Sequence, residues 1–386
     1  MLAQQPSGGQ RHARATFAWH VVCSLIGYDV HLFASLAAHG WHPVAWRVSG
    51  QPGFEGVAPF VRAAQTAERG GLDAVMLGLP TAPRGGDRLH LDPLPLAGLL
   101  IGATRHIGLC GYWPADVAEP FHIARVFATL DHLSGGRMGW IAGLGGPAEL
   151  AGRFQRADLA LSDADANARF VELVDVARQL WDSWEDKSFV VDQATGTFAA
   201  SEHVHPIEHA GRFFTVRGPL NVPRPVQGQP VILHRDVPAP ARAGLAASAN
   251  IVLGEPATLA EAKTARAEWQ ALAPTVRYVV RLEVILGETT AAAGKRAADL
   301  DAGANDNRPR FVGTPEQLAA HFAEWHAAGA CDGFDVLPAV MPIDLDLLAG
   351  EVVPRLRNRG LRSSGYDGRT LREHLGLERP LSRFAA

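Results

Sequence analysis

The chain has 386 residues, 47% of them hydrophobic and 20% charged, with 40 glycines and 26 prolines, which describes a folded protein with a large core and argues against a disordered or fibrous one. A net charge of −4, with no Lys/Arg cluster interleaved with aromatics, argues against a nucleic-acid partner. Cys23, Cys110 and Cys331 are far apart and in no C-x-x-C arrangement, so neither a disulfide framework nor a zinc knuckle is expected and a reducing cytoplasm fits best.

Residues 1–28 read as an N-terminal extension. Its apolar run from Phe17 to Ile26 follows Arg11, His12 and Arg14 but is interrupted by His20, so it imitates a signal peptide only faintly. No run reaches the roughly 18 apolar residues of a membrane span. From residue 29 onward, strand-like runs alternate with helical patterns. "VHLFASL" (30–36), "LDAVMLGL" (72–79), "HIGLCGY" (106–112) and "GRMGWIAGL" (136–144) read as the first four strands. "GVAPFVRAAQTAERGG", "PLPLAGLLIGATR" and "EPFHIARVFATLDHLS" lie between them with apolar residues at helical spacing. After the helix "ANARFVELVDVARQLWDSW" come "PVILH", "ANIVLG", "VRYVVRLEVIL" and "DGFDVLP" as strands five to eight. Eight strands separated by helices favour a closed (β/α)8 TIM barrel over an open doubly wound sheet, and no G-x-G-x-x-G follows the first strand. The expected organisation is a single barrel over 29–386, with a surface insertion at 185–228, an exposed linker at 301–310 and a C-terminal tail at 359–386.

Four groups of residues invite a chemical reading. His234-Arg235-Asp236 follows the fifth strand, where barrel enzymes keep their sites, in a loop that the following prolines are expected to keep from becoming helix. The position five residues after Asp236 is Ala241, so the asparagine of a kinase catalytic loop is missing. His203, His205 and His209 fall within seven residues, yet no further ligand or H-E-x-x-H helix accompanies them, so solvated loop histidines are the simpler expectation. "GLGGP" (143–147) offers backbone N–H groups to a phosphate but lacks a P-loop lysine. Asp73, Glu119, Asp131 and Asp332 stand beside element ends, where caps and salt bridges usually explain carboxylates.

Three longer stretches carry a resemblance. "EPFHIARVFATLDHLSGGRMGW" (119–140) resembles the third helix and fourth strand of bacterial luciferase-like flavin monooxygenases. Residues 180–232 and 313–380 are similar to the branch of that superfamily that holds nitrilotriacetate monooxygenase, pristinamycin synthase and dibenzothiophene-sulfone monooxygenase. The resemblance implies a (β/α)8 barrel that uses O2 and reduced FMN, the flavin being supplied by a separate NAD(P)H-dependent reductase. It further implies insertion of one oxygen atom into a small organic substrate through a flavin C4a-hydroperoxide, and a homodimer.

Carried onto this chain, the resemblance places the cofactor against Leu79, Tyr112, Ala142, Gly143, Asn167, His234 and Arg235, and the substrate against Trp46 and Trp113; it assigns no catalytic residue. Ordinary barrel packing is the alternative reading of the aromatics. The strand ends depart from the family's pattern: Gly78-Leu79-Pro80 stands where an Asp is usual, Ala166-Asn167 where an Arg-Tyr pair opens the helix, and Leu233 to Val237 where Gln-Ala-Gly-x-Ser holds the flavin phosphate. Arg235 is the residue able to replace those phosphate donors, by a charge-assisted contact. The competing expectation is a flavin-free paralogue that acts as a binding or partner subunit.

Overall fold

Each apolar run offered by the sequence as a strand pairs in parallel with its neighbours. The computed structural model describes residues 29–51, 56–78, 91–144, 161–302 and 308–384. Its strands are β1 (His31–Leu36), β2 (Ala74–Leu77), β3 (Gly108–Pro114), β4 (Met138–Gly143), β5 (Val231–Arg235), β6 (Ile251–Gly254), β7 (Arg277–Leu286) and β8 (Gly333–Pro338). They neighbour one another in chain order, and β8 returns to pair with β1, so the sheet closes on itself as the expected (β/α)8 barrel.

The crossovers are α1 (Ala58–Gly70), α2 (Pro93–Ala103), α3 (Pro120–Ser134), α4 (Asp163–Asp182), α5 (Ala239–Ala246), α6 (Leu259–Leu272), α7 (Thr290–Asp301) and α8 (Pro315–Ala327). Their ends follow local chemistry. The Asp92 and Ser162 side chains accept from the backbone N–H groups of Leu94 and Asp165, and Thr314 forms a capping box with Gln317. Gly71 and Gly135 stop α1 and α3 at φ 77° and 68°, a left-handed conformation that a side chain would strain.

Two expectations change. Pro238 and Pro240 do not prevent a helix; Pro238 caps α5 and Pro240 falls in its first turn, where a missing N–H costs nothing. Of the linker at 301–310, residues 303–307 lie outside the described residues, and Arg310 opens a short strand, Arg310–Gly313, that extends β7 beyond the ring.

The insertion and the tail meet at the N-terminal end of the barrel. The insertion contributes two antiparallel hairpins, Phe189–Asp192 with Thr197–Ala199 and His209–Ala210 with Thr215–Val216. The tail sends Leu371 and Leu375 into the barrel interior, where a Cβ on Gly108 would come within 2.5 Å of Leu371. Arg362 pins the tail to Asp73 (2.8 Å) and to the Val30 carbonyl, and His205 of the insertion stacks on Phe384 of the tail, centroids 4.3 Å apart. Burial alone would raise the Asp73 carboxyl; the Arg362 guanidinium and His31 overcome it and hold the group well below the usual carboxylate range. Thus the stretches that resemble the family most strongly after residue 180 seal the bottom of the barrel, opposite its C-terminal mouth.

Candidate active site

Side chains alternate along a strand, so each strand divides its residues between the barrel axis and the helix layer. One buried cluster takes Phe33, Met76, Cys110, Ile141, Leu233, Leu253 and Val279 from the strands and no residue from α1–α8, which marks it as the interior. Continuing the alternation by two residues carries Ser35, Tyr112, Gly143, Arg235, Glu255 and Arg281 inward toward the C-terminal mouth. Asp335 on β8 joins them. His234, Ala142 and Trp113 fall on the opposite face.

The triplet at the end of β5 is therefore split three ways. His234 is fully buried against the helix layer, edge-on to Phe170 with centroids 5.3 Å apart and 2.9 Å from the Ser248 hydroxyl through Nε2. Burial pushes its ring down to about 4, so it stays neutral at physiological pH. Arg235 points into the mouth with its side chain 42% exposed. Asp236 turns back between α5 and α6, where it accepts from Arg242 Nε (3.1 Å), Trp269 Nε1 (2.7 Å) and Tyr278 Oη (3.4 Å). Asp236 therefore neither orients Arg235 nor repels an anion there.

The depressed His234 carries a testable consequence. Its folded value lies below the roughly 6.5 of an unfolded histidine, so the unfolded chain binds the extra proton first on acidification. Stability is fully present above pH about 6.5 and falls as the pH drops toward 4, by about 3 kcal/mol from this group. In His234→Phe, urea midpoints measured across that window should show a correspondingly shallower decline.

Between β5 and β1 the inner wall carries a chain of charges of which the sequence reading singled out Arg235 alone. Arg281, 1% exposed, donates from Nε to Asp335 Oδ2 at 3.0 Å and from Nη1 to Glu255 Oε1 at 2.7 Å. The Ser35 hydroxyl donates to Asp335 at 2.9 Å, and the Trp41 indole donates to the Ser35 carbonyl at 2.6 Å. Arg235 Nη2 stands 3.8 Å from the same Glu255 oxygen. Burial raises the Asp335 carboxyl, against the opposing pull of Arg281. The signal was present: Arg281, Glu283 and Asp335 sit inside otherwise apolar strand runs, and charges buried in a strand require partners.

The other wall differs. Tyr112 and Gly143 face the mouth from β3 and β4, and a Cβ built on Gly143 would meet the Tyr112 ring at 3.4 Å, so bare backbone lies beside an aromatic edge there. Asn167 lies in the first turns of α4, its amide donating to the Asp163 carbonyl at 2.8 Å. Trp113 packs against the helix-layer cluster and Ala142 is buried within it. Trp46 is 60% exposed, with the Arg47 guanidinium 5.2 Å from its ring centroid. The adjoining Val44, Arg47 and Val48 help to line a peripheral cavity of about 420 Å³ with Leu300, Val340 and Ile343. Leu79 lies outside the described residues.

The remaining carboxylates and histidines are structural. Asp332 pairs with Arg266 at 2.8 Å, and Asp131 accepts from Gln227 at 2.6 Å. Glu119 begins α3 without a side-chain capping bond. His203 and His205 share one oxygen of Glu185, and His209 meets Glu172 at 3.1 Å, so these histidines are paired rather than merely solvated. Among the described residues no group of three or more His, Cys, Asp or Glu is arranged to hold a metal ion, and no helix is long and apolar enough to cross a membrane.

A family model described as luciferase-like monooxygenase matches residues 38–300. The chain is 31% identical to N-acetyl-S-(2-succino)cysteine monooxygenase of Bacillus subtilis (strain 168), over 92% of this chain and 98% of that protein. It is equally 31% identical to nitrilotriacetate monooxygenase component A of Aminobacter aminovorans, over 90% and 96% of the two chains. Among solved structures, EDTA monooxygenase from Chelativorans sp. BNC1 superposes with a TM-score of 0.81 at 24% identity, covering 91% of this chain and 99% of that one.

Proposed function

The chain belongs to the luciferase-like monooxygenase family, and from that premise we propose that it is the oxygenating component of a two-component system. In this reading it takes reduced FMN from a separate NAD(P)H-dependent flavin reductase and works in the cytoplasm as a homodimer. Reduced FMN bound at the mouth would supply the electrons that activate O2 for transfer of one oxygen atom to a small organic substrate.

The observation that carries the reading is the pairing of a guanidinium with a bare strand end at the C-terminal mouth. Arg235 would hold the phosphate by a charge-assisted contact of the kind that arginine makes bidentately. Tyr112 and the Gly143 backbone would border the ring system, since nothing projects from Gly143 to fill that space. Trp41, 1% exposed and bonded to Ser35, covers the β1–β8 side and keeps water from the interior below it. His234 and Ala142, which face the helix layer, would support β4 and β5 from behind, and Asn167 would contribute from the start of α4. Trp46 and Trp113 remain candidates for substrate contact only at the periphery.

Shielding the bound flavin from bulk water while O2 still reaches it has a direct readout. Reduced FMN mixed with air-saturated buffer should regain the absorbance of oxidised FMN more slowly when the protein is present in excess, and an identical rate with and without it would count against the reading.

A further inference from the structure

Arg235 shares the mouth with a carboxylate that does not depend on it for position. Glu255 follows β6, and its Oε1 accepts from Arg281 Nη1 at 2.7 Å while standing 3.8 Å from Arg235 Nη2, beyond hydrogen-bond length. Arg281 is itself fixed by Asp335 at 3.0 Å on the buried side. The pair of side chains at the mouth is thus partly exposed, Arg235 at 42% and Glu255 at 32%, with the acid anchored from behind. Any anion drawn to Arg235 meets a fixed negative charge alongside, which is repulsive and partly cancels the attraction.

We propose that Glu255 is a specificity-determining residue that weakens the hold of Arg235 on the flavin phosphate, so that FMN exchanges with its supplier between turnovers. The proposal rests on the FMN reading above. A site that must accept and return its flavin gains from a fast dissociation rate, and affinity within one site is tuned mostly through dissociation.

Glu255→Gln keeps an acceptor oxygen for Arg281 and removes the charge. Dissociation constants and dissociation rates would be measured for FMN and for riboflavin, which lacks the phosphate, with the wild type, Glu255→Gln, Arg235→Gln and the double variant. FMN should bind Glu255→Gln about fivefold more tightly, through slower dissociation. Riboflavin affinity should not change, and because Glu255 is held by Arg281 and repels the phosphate itself, the tightening by Glu255→Gln should persist for the weaker FMN binding of the Arg235→Gln background. Weaker or unchanged FMN binding by Glu255→Gln, or equal tightening of riboflavin, would overturn the role of Glu255 while leaving the FMN reading intact. Absence of FMN binding to every protein would overturn the FMN reading and this role with it.

Discussion

Arg281→Met should lower the stability of the fold by about 3–5 kcal/mol, read as a drop in the urea midpoint. Arg281 is 1% exposed and Asp335 fully buried, so the substitution leaves Asp335 with the Ser35 hydroxyl as its one remaining donor among the described residues, and Glu255 loses its anchor. Methionine fills most of the arginine volume, which separates the loss of charge from the creation of a cavity. The double variant Arg281→Met, Asp335→Ala leaves no uncompensated charge at that position and should recover a large part of the loss. If the two substitutions instead cost the sum of their separate effects, Arg281 and Asp335 are not coupled and the charged inner wall is not a unit.

Arg235→Ala should weaken the binding of reduced FMN about 10- to 100-fold, corresponding to the roughly 1.5–3 kcal/mol of hydrogen bonds to a charged group. Of the three ionisable residues at the end of β5, Arg235 alone alternates inward with Val231 and Leu233, and its exposed guanidinium reaches the mouth. Asp236→Ala makes the matched control: it removes an acceptor of Arg242, Trp269 and Tyr278 between α5 and α6, so it should reduce thermal stability and leave FMN affinity nearly unchanged. An Arg235→Ala affinity equal to wild type would remove Arg235 from the phosphate role.

The fold was legible because its signals are local and repeated. All eight strands lie within the predicted runs to within a residue or two, since a parallel strand buried on both faces is apolar along most of its length, and the helices begin and end at proline, serine, threonine and glycine positions whose chemistry is readable one at a time. The mouth was less legible for a geometric reason. A one-residue change in register exchanges the two faces of a strand, so "HRD" gives no hint that Arg235 faces the axis while His234 and Asp236 face away. The partnership of Glu255, Arg281 and Asp335 joins residues up to 80 positions apart, from Glu255 to Asp335, and becomes visible only when β6, β7 and β8 lie side by side. The resemblance itself came chiefly from helices, insertion and tail, which pack the barrel and close its bottom. It therefore identified the family securely while leaving the contents of the mouth to the structure.

The central claim is that this mouth, with its altered strand ends, still holds a flavin. An anaerobic titration of the purified chain with reduced FMN tests it most directly. Saturable binding with a dissociation constant in the micromolar range, below about 100 μM, is the expected result. No saturable binding up to that concentration would contradict it and leave the chain as a flavin-free barrel serving as a binding or partner subunit.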